Sequence, residues 1–275
     1  MYLSPMIRSI AVLAAFLITG CVGRQAYYVH PFNGLSQPFR TLPHHRDSVR
    51  SATYIQAALA SGDANDYGLD RKFAGSANLS RSWNFGTFQG HAGLGFAAGN
   101  YRVSPYDTFG INNATVNTRY LNERIGRYTF SGITADGAIN ARADMGRGEW
   151  RFLGIEAALS REYGRYLQFR ETLPDSVATL VVRSPWYASG GLTTEFVFGD
   201  PDRNWGFRFA YGTTIGNNYR RYSGPDNTVF PRTLSFNYFN TAFQMTFDKV
   251  SFFAQGNLAE KAHSFLFGAN VRIGK

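Results

Sequence analysis

The sequence predicts an all-β protein, an antiparallel up-and-down transmembrane β-barrel of about ten strands built from residues 51–275. Three observations predict it. Ten segments alternate apolar and polar residues with a period of two, and most run 10 to 18 residues. Soluble strands have a mode of about 5–6 residues, and a membrane-crossing strand needs about 9–11. The connections between the segments alternate short and long, as they do when every turn at one rim is tight and every loop at the other is extended. The composition suits strands that meet lipid on one face only: 24 Phe, 16 Tyr and 29 Gly, with 17% charged residues against about 25% in soluble domains.

The chain opens with a segment that precedes the fold. Arg8 is followed by an apolar run from Ile10 to Ile18, too short for a spanning helix and right for the core of a signal peptide. The run ends in Leu17, Ile18, Thr19, Gly20 and Cys21, which resembles the bacterial lipobox. That resemblance implies that residues 1–20 are a lipoprotein signal peptide and that Cys21 is acylated after cleavage. Cys21 is the only cysteine, so no intrachain disulfide exists. Residues 21–50 follow as a lipidated linker holding Pro31, Pro38, Pro43, His44 and His45 with little periodicity. This stretch is long enough to tether a lipid to the first strand or to pack inside the barrel as a plug.

The strands follow in order. Segment 51–60 places Ile55, Ala57 and Leu59 on one face. Segment 71–83 places Phe73, Ala77, Leu79 and Trp83 opposite Ser76, Asn78 and Ser80. Segment 86–99 sets Phe88, Ala92, Leu94 and Phe96 against Gln89, His91, Gly93 and Gly95. In 127–144, Ile133, Ala135, Ile139 and Ala141 oppose Thr134, Asp136, Asn140 and Arg142. In 149–163, Leu153, Ile155, Ala157 and Leu159 oppose Gly154, Glu156, Ser160 and Glu162. Segment 188–198 carries Leu192, Thr194, Phe196 and Phe198 opposite Glu195, and 203–214 carries Phe207, Phe209 and Tyr211 opposite Arg208. Segment 233–247 starts on Leu234, Phe236 and Tyr238 and then switches phase to Phe239, Phe243, Met245 and Phe247, which predicts a β-bulge near Tyr238 and Phe239. Segments 249–259 and 263–273 complete the set, with Phe252 and Phe267 on their apolar faces.

Short connections fall at Asn84–Phe85, 144–148, 199–202 and 248–249, and long ones at 61–70, 100–126, 164–187 and 215–232. The connection at 260–261 is short although it falls on the long-loop side. From about residue 50 to 273 the chain therefore resembles the outer-membrane β-barrel proteins of Gram-negative bacteria, on its strands and rhythm rather than on a motif. The resemblance implies an outer-membrane location with both chain ends on the periplasmic side, and hence a lipid at Cys21 in the inner leaflet. The family usually ends in an aromatic residue, whereas this chain ends in Arg272, Ile273, Gly274 and Lys275.

The net charge of +9 would allow nucleic-acid binding, but an export signal argues against it. Acylation makes membrane lipid a partner, and lipopolysaccharide phosphates or surface glycans are the other anions to consider. The polar faces hold Asp136, Glu156, Glu162 and Glu195 with Arg142, Arg208 and Arg272, expected as an ion-pair network in a lumen that side chains largely fill. Loop binding is expected of Tyr106, Arg119, Tyr120, Tyr219, Arg220 and Arg221. No cofactor or metal motif is present. Barrel lipid A deacylases carry a His and a Ser two residues apart on one face; here His263 and Ser264 are adjacent, so a strand separates them. His91 is the better-placed base and has no nucleophile near it in sequence. The expected function is a lipid-anchored barrel with a structural or surface-interaction role and no catalysis. The alternatives are a narrow pore for small anionic or hydrophobic ligands and a lipid-modifying barrel enzyme.

Overall fold

The computed structural model describes residues 27–33, 38–44, 49–64, 70–105, 118–174, 177–178, 180–215, 218–222, 229–233, 236–259 and 262–274. Ten strands form the wall: β1 (Ser51–Ala64), β2 (Asp70–Asn84), β3 (Phe88–Val103), β4 (Gly126–Asp144), β5 (Gly148–Tyr163), β6 (Trp186–Asp200), β7 (Arg203–Ile215), β8 (Asn237–Phe247), β9 (Val250–Ala259) and β10 (Ala262–Gly274). Each pairs antiparallel with its sequence neighbour, and β10 pairs with β1 to close the barrel. Closure leaves no free edge, which a lone sheet would otherwise present for aggregation.

The tight turns lie together at one rim, and two of them share a device. Asn84 Oδ1 accepts a hydrogen bond from the Gly86 N–H at 3.2 Å, and Asp144 Oδ1 accepts one from the Gly146 N–H at 2.7 Å. Gly86 and Gly146 have φ of 80° and 77°, a region glycine enters without steric cost. At the other rim lie longer connections with the short helices Thr118–Asn122 and Arg165–Thr172 and the hairpin Asn218–Tyr222/Val229–Thr233.

Period two decides what faces where. On β5, Ile155, Ala157 and Leu159 are exposed on the outer surface, while Glu156, Ala158, Ser160 and Glu162 are buried inside. The outer face is apolar round the barrel, with Leu94 70%, Leu59 58% and Phe267 57% exposed. Trp150, Trp205 and Phe247 girdle the short-turn end, and Trp186 and Tyr163 stand near the long-loop end.

The bulge lies elsewhere than the sequence pattern suggests. Strand β8 keeps even register with both neighbours. Phe236 and Tyr238 are buried on the same side as Asn240, and Phe239, Phe243, Met245 and Phe247 face outward. The early aromatics are lumen residues, so no change of phase occurs there. The change occurs in β5, where Arg151 pairs with Glu195 and Gly154 with Thr193, leaving one extra residue on β5. Beyond that bulge the inward set becomes Glu149 and Arg151.

The lumen is not empty. The described parts of 27–44 run through it from the long-loop end to the short-turn end. Tyr27 and Tyr28 pair in parallel with Leu180 and Val181 of the loop between β5 and β6. Further down, the Lys72 ammonium donates to the Asn33 carbonyl at 2.7 Å, and Gln255 and Gln56 bracket the Phe39 backbone at 2.7 Å each. At the bottom, Ser82 and Gln89 donate to the carbonyls of Thr41 and Pro43 at 3.2 and 3.0 Å. Ser51 and Gly274 thus stand at the short-turn end, while Tyr27 stands at the opposite one. Cys21 and the signal segment lie outside the described residues.

Candidate functional site: the filled lumen

Ten strands make a lumen a little wider than the eight-stranded barrel that wall side chains alone can fill. Here the extra space is taken by one extended segment, bound at three levels.

At the long-loop end, Arg170 of the helix Arg165–Thr172 forms an ion pair with Glu162 and donates to the Val182 carbonyl at 2.5 Å. His30 of the threaded segment approaches the same carboxylate at 3.3 Å. Tyr166 stacks on Tyr101 with ring centroids 4.0 Å apart and donates to the Val29 carbonyl at 3.1 Å. Burial beneath this cap pushes the Tyr166 phenol well above its ordinary pKa. The helix therefore pins the segment's entry with the Tyr166–Val29 hydrogen bond and an edge contact of Phe169 on Tyr28.

At the middle, Arg40 of the threaded segment clasps Asp136 through Nε at 3.0 Å and through a terminal nitrogen at 2.5 Å. It also donates to Gln56 and, at 3.2 Å, to Asn78. The fork-on-carboxylate geometry is among the stronger polar contacts proteins make. His91 Nε2 lies 3.3 Å from the same carboxylate. Beside them Arg208 pairs with Glu156, to which the Tyr238 hydroxyl donates at 3.3 Å.

At the short-turn end, Arg151 sits between Glu149 and Glu195, the latter at 2.6 Å, and all three are buried. Gln244 donates to Glu195 at 3.4 Å, so the triad is tied to β8 as well.

The space left over is small. A cavity of about 20 Å³ among Arg40, His91, Asp136, Glu156, Thr193 and Arg208 has room for one water molecule. A second of about 20 Å³ lies near His44, Lys249 and Arg272.

No protein-family description matches the sequence, and no curated protein sequence matches it. Solved structures similar to this barrel are bacterial outer-membrane proteins. The translocator domain of the autotransporter NalP from Neisseria meningitidis is 13% identical over 83% of this chain and 90% of that one, with a TM-score of 0.36. An outer membrane channel from Pseudomonas putida F1 is 8% identical over 86% and 100%, with a TM-score of 0.43. Neisserial surface protein A is 11% identical over 82% and 98%, with a TM-score of 0.34. At these identities the likeness concerns the fold alone.

Of the residues singled out from the sequence, Asp136, Glu156, Glu162, Glu195 and Arg208 lie inside, each in an ion pair. Their partners are mostly ones the sequence did not offer: Arg40, Arg170 and Arg151. Arg142 and Arg272 are half-buried at the short-turn end. His263 is exposed and Ser264 buried, on opposite faces of β10. His91 contacts a carboxylate already held by Arg40, which makes it a positioning residue for that clasp. Among the described residues no group of three or more His, Cys, Asp or Glu could hold a metal ion.

Among the loop candidates, Arg119 is exposed and 3.7 Å from Glu123, and Arg124 lies 3.5 Å over the Tyr120 ring. Tyr106 lies outside the described residues, as do the side chains of Tyr219, Arg220 and Arg221.

Proposed function

We propose that the chain is an outer-membrane β-barrel closed by its own N-terminal segment, serving as a non-conducting scaffold that presents its long-loop end at the cell surface. The observation that carries this reading is the bidentate Arg40–Asp136 clasp at mid-lumen, beside a void that holds one water. A void of that size does not admit a hydrated ion. The apolar outer face with aromatic girdles supports residence in a bilayer.

The threading also bears on the lipid expected at Cys21. Tyr27 lies six positions after Cys21, at most about 20 Å of chain. A hydrocarbon core is about 30 Å thick. With Tyr27 at the long-loop end, an acyl chain on Cys21 belongs to the leaflet on that side, the surface leaflet of this reading, rather than to the inner leaflet.

Purified full-length protein in a planar bilayer is expected to give no conductance steps above the lipid baseline. Steady steps from the intact chain would replace this reading with an open pore. Membrane residence has its own test. Leu94 is 70% exposed near the middle of the apolar band, and Leu94→Arg is expected to lower stability in bilayers by about 2–4 kcal/mol. The urea midpoint of the reconstituted protein measures this.

A further inference from the structure

The outer surface near the long-loop end carries an arrangement that strand pairing alone disfavours. Arg71 of β2 pairs in register with Arg102 of β3, and Arg102 pairs with Arg127 of β4. All three are exposed on the outer face. Like charges directly opposite one another across strands destabilise a sheet. At a strand spacing of about 4.8 Å, the Cα atoms of the three arginines fall within roughly 10 Å. The row continues from Arg71 to Asp63 of β1, whose carboxylate is 3.9 Å away, and from Asp63 to His263 of β10. Asp63 therefore offsets one arginine. Arg102 and Arg127 have no carboxylate partner among the described residues.

The height of the row says what it meets. Arg102 lies fourteen positions from Phe88, Arg127 fourteen from Ala141, and Arg71 twelve from Trp83. At about 3.3 Å per residue and a tilt of about 40°, the row stands roughly 30–35 Å above the short-turn girdle. A barrel's apolar band is about 25 Å tall, so the arginines stand just beyond it, where lipid headgroups lie. Phe73, 52% exposed, sits two residues below Arg71 on the same face, on the side of the acyl chains.

We infer that Arg71, Arg102 and Arg127 form a binding site for the phosphate groups of an anionic lipid in the leaflet on the long-loop side. Guanidinium groups pair with phosphate through two parallel N–H donors. A lipid carrying two phosphates would relieve the repulsion across the row. The inference rests on the membrane-barrel reading and names a lipid partner for its outer face.

The test compares full-length protein with the variant Arg71→Gln/Arg102→Gln/Arg127→Gln, both in neutral detergent. The probes are a bisphosphorylated glycolipid, its dephosphorylated form and inorganic phosphate, with retained lipid read by native mass spectrometry. The wild type is expected to hold the bisphosphorylated lipid at least about tenfold more tightly than the dephosphorylated one. In the triple variant the two lipids should bind within about twofold, and a variant with Lys at all three positions should recover part of the preference. Equal lipid preference in wild type and triple variant overturns the inference. So does displacement of the lipid by equimolar inorganic phosphate, which marks a free-phosphate site. Gel migration that changes on heating reports an intact barrel in each sample, so loss of the lipid site and failure of the barrel reading give different results.

Discussion

Deleting residues 27–44 is expected to turn a silent barrel into a conducting one. The described parts of the segment, 27–33 and 38–44, occupy the lumen and are bound at three levels: His30 by Glu162, Arg40 by Asp136, and Pro43 by Gln89. Without it, only wall side chains remain in a ten-strand ring, and water enters between Asp136, Glu156 and Arg208. Planar-bilayer recordings should show discrete steps with the deletion and none with the intact chain. A milder variant covers the case in which the deletion fails to insert. Arg40→Glu places a carboxylate against Asp136 and reverses the central attraction, and it should give brief, intermittent openings in an otherwise normal barrel. If both variants insert and neither conducts, the segment is not what closes the lumen.

The second large effect concerns stability. Arg151 is 1% exposed and lies between two buried carboxylates. Arg151→Leu leaves Glu149 and Glu195 without their cation, and breaking a buried pair in this way costs about 3–5 kcal/mol. The folded, heat-sensitive gel band should then disappear at markedly lower urea. Neutralising the whole cluster should recover most of the loss, because a buried ion pair replaced entirely by neutral groups is often close to neutral in stability. The variant Glu149→Gln/Arg151→Met/Glu195→Gln is the check. If the single and triple variants fall together, the triad is not the cause.

The wall was legible in the sequence because one face of each strand meets an apolar medium, so Leu94, Ile155 and Phe267 advertise their orientation two residues at a time. The turns were legible through Asn84 with Gly86 and Asp144 with Gly146. The interior was harder to read. Glu149 and Arg151 look outward if the phase of Gly154 to Glu162 is extended backwards, and only the pairing of Arg151 with Glu195 and of Gly154 with Thr193 reveals the bulge between Arg151 and Gly154. Phe236 and Tyr238 misled in the opposite sense: an aromatic pair facing a filled lumen has the same pattern as one facing lipid. Beyond Tyr28 the threaded segment has no periodicity, because its backbone bonds to wall side chains such as Gln56, Lys72 and Gln255 rather than to a neighbouring strand. Arg40 and His30 therefore carried no local signal of their roles. Arg170 lies on a loop helix, and only the folded loop brings it to Glu162.

In the proposed arrangement the chain fills its own barrel in one direction, entering at the long-loop end. Three epitope tags on separate copies of the full-length protein test it most directly in intact cells: one after Arg24, one within 223–228 and one after Lys275. Antibody is expected to reach the first two on unbroken cells and the third only after permeabilisation. A tag after Arg24 that stays hidden with the one after Lys275, while the 223–228 tag is reached, would contradict it.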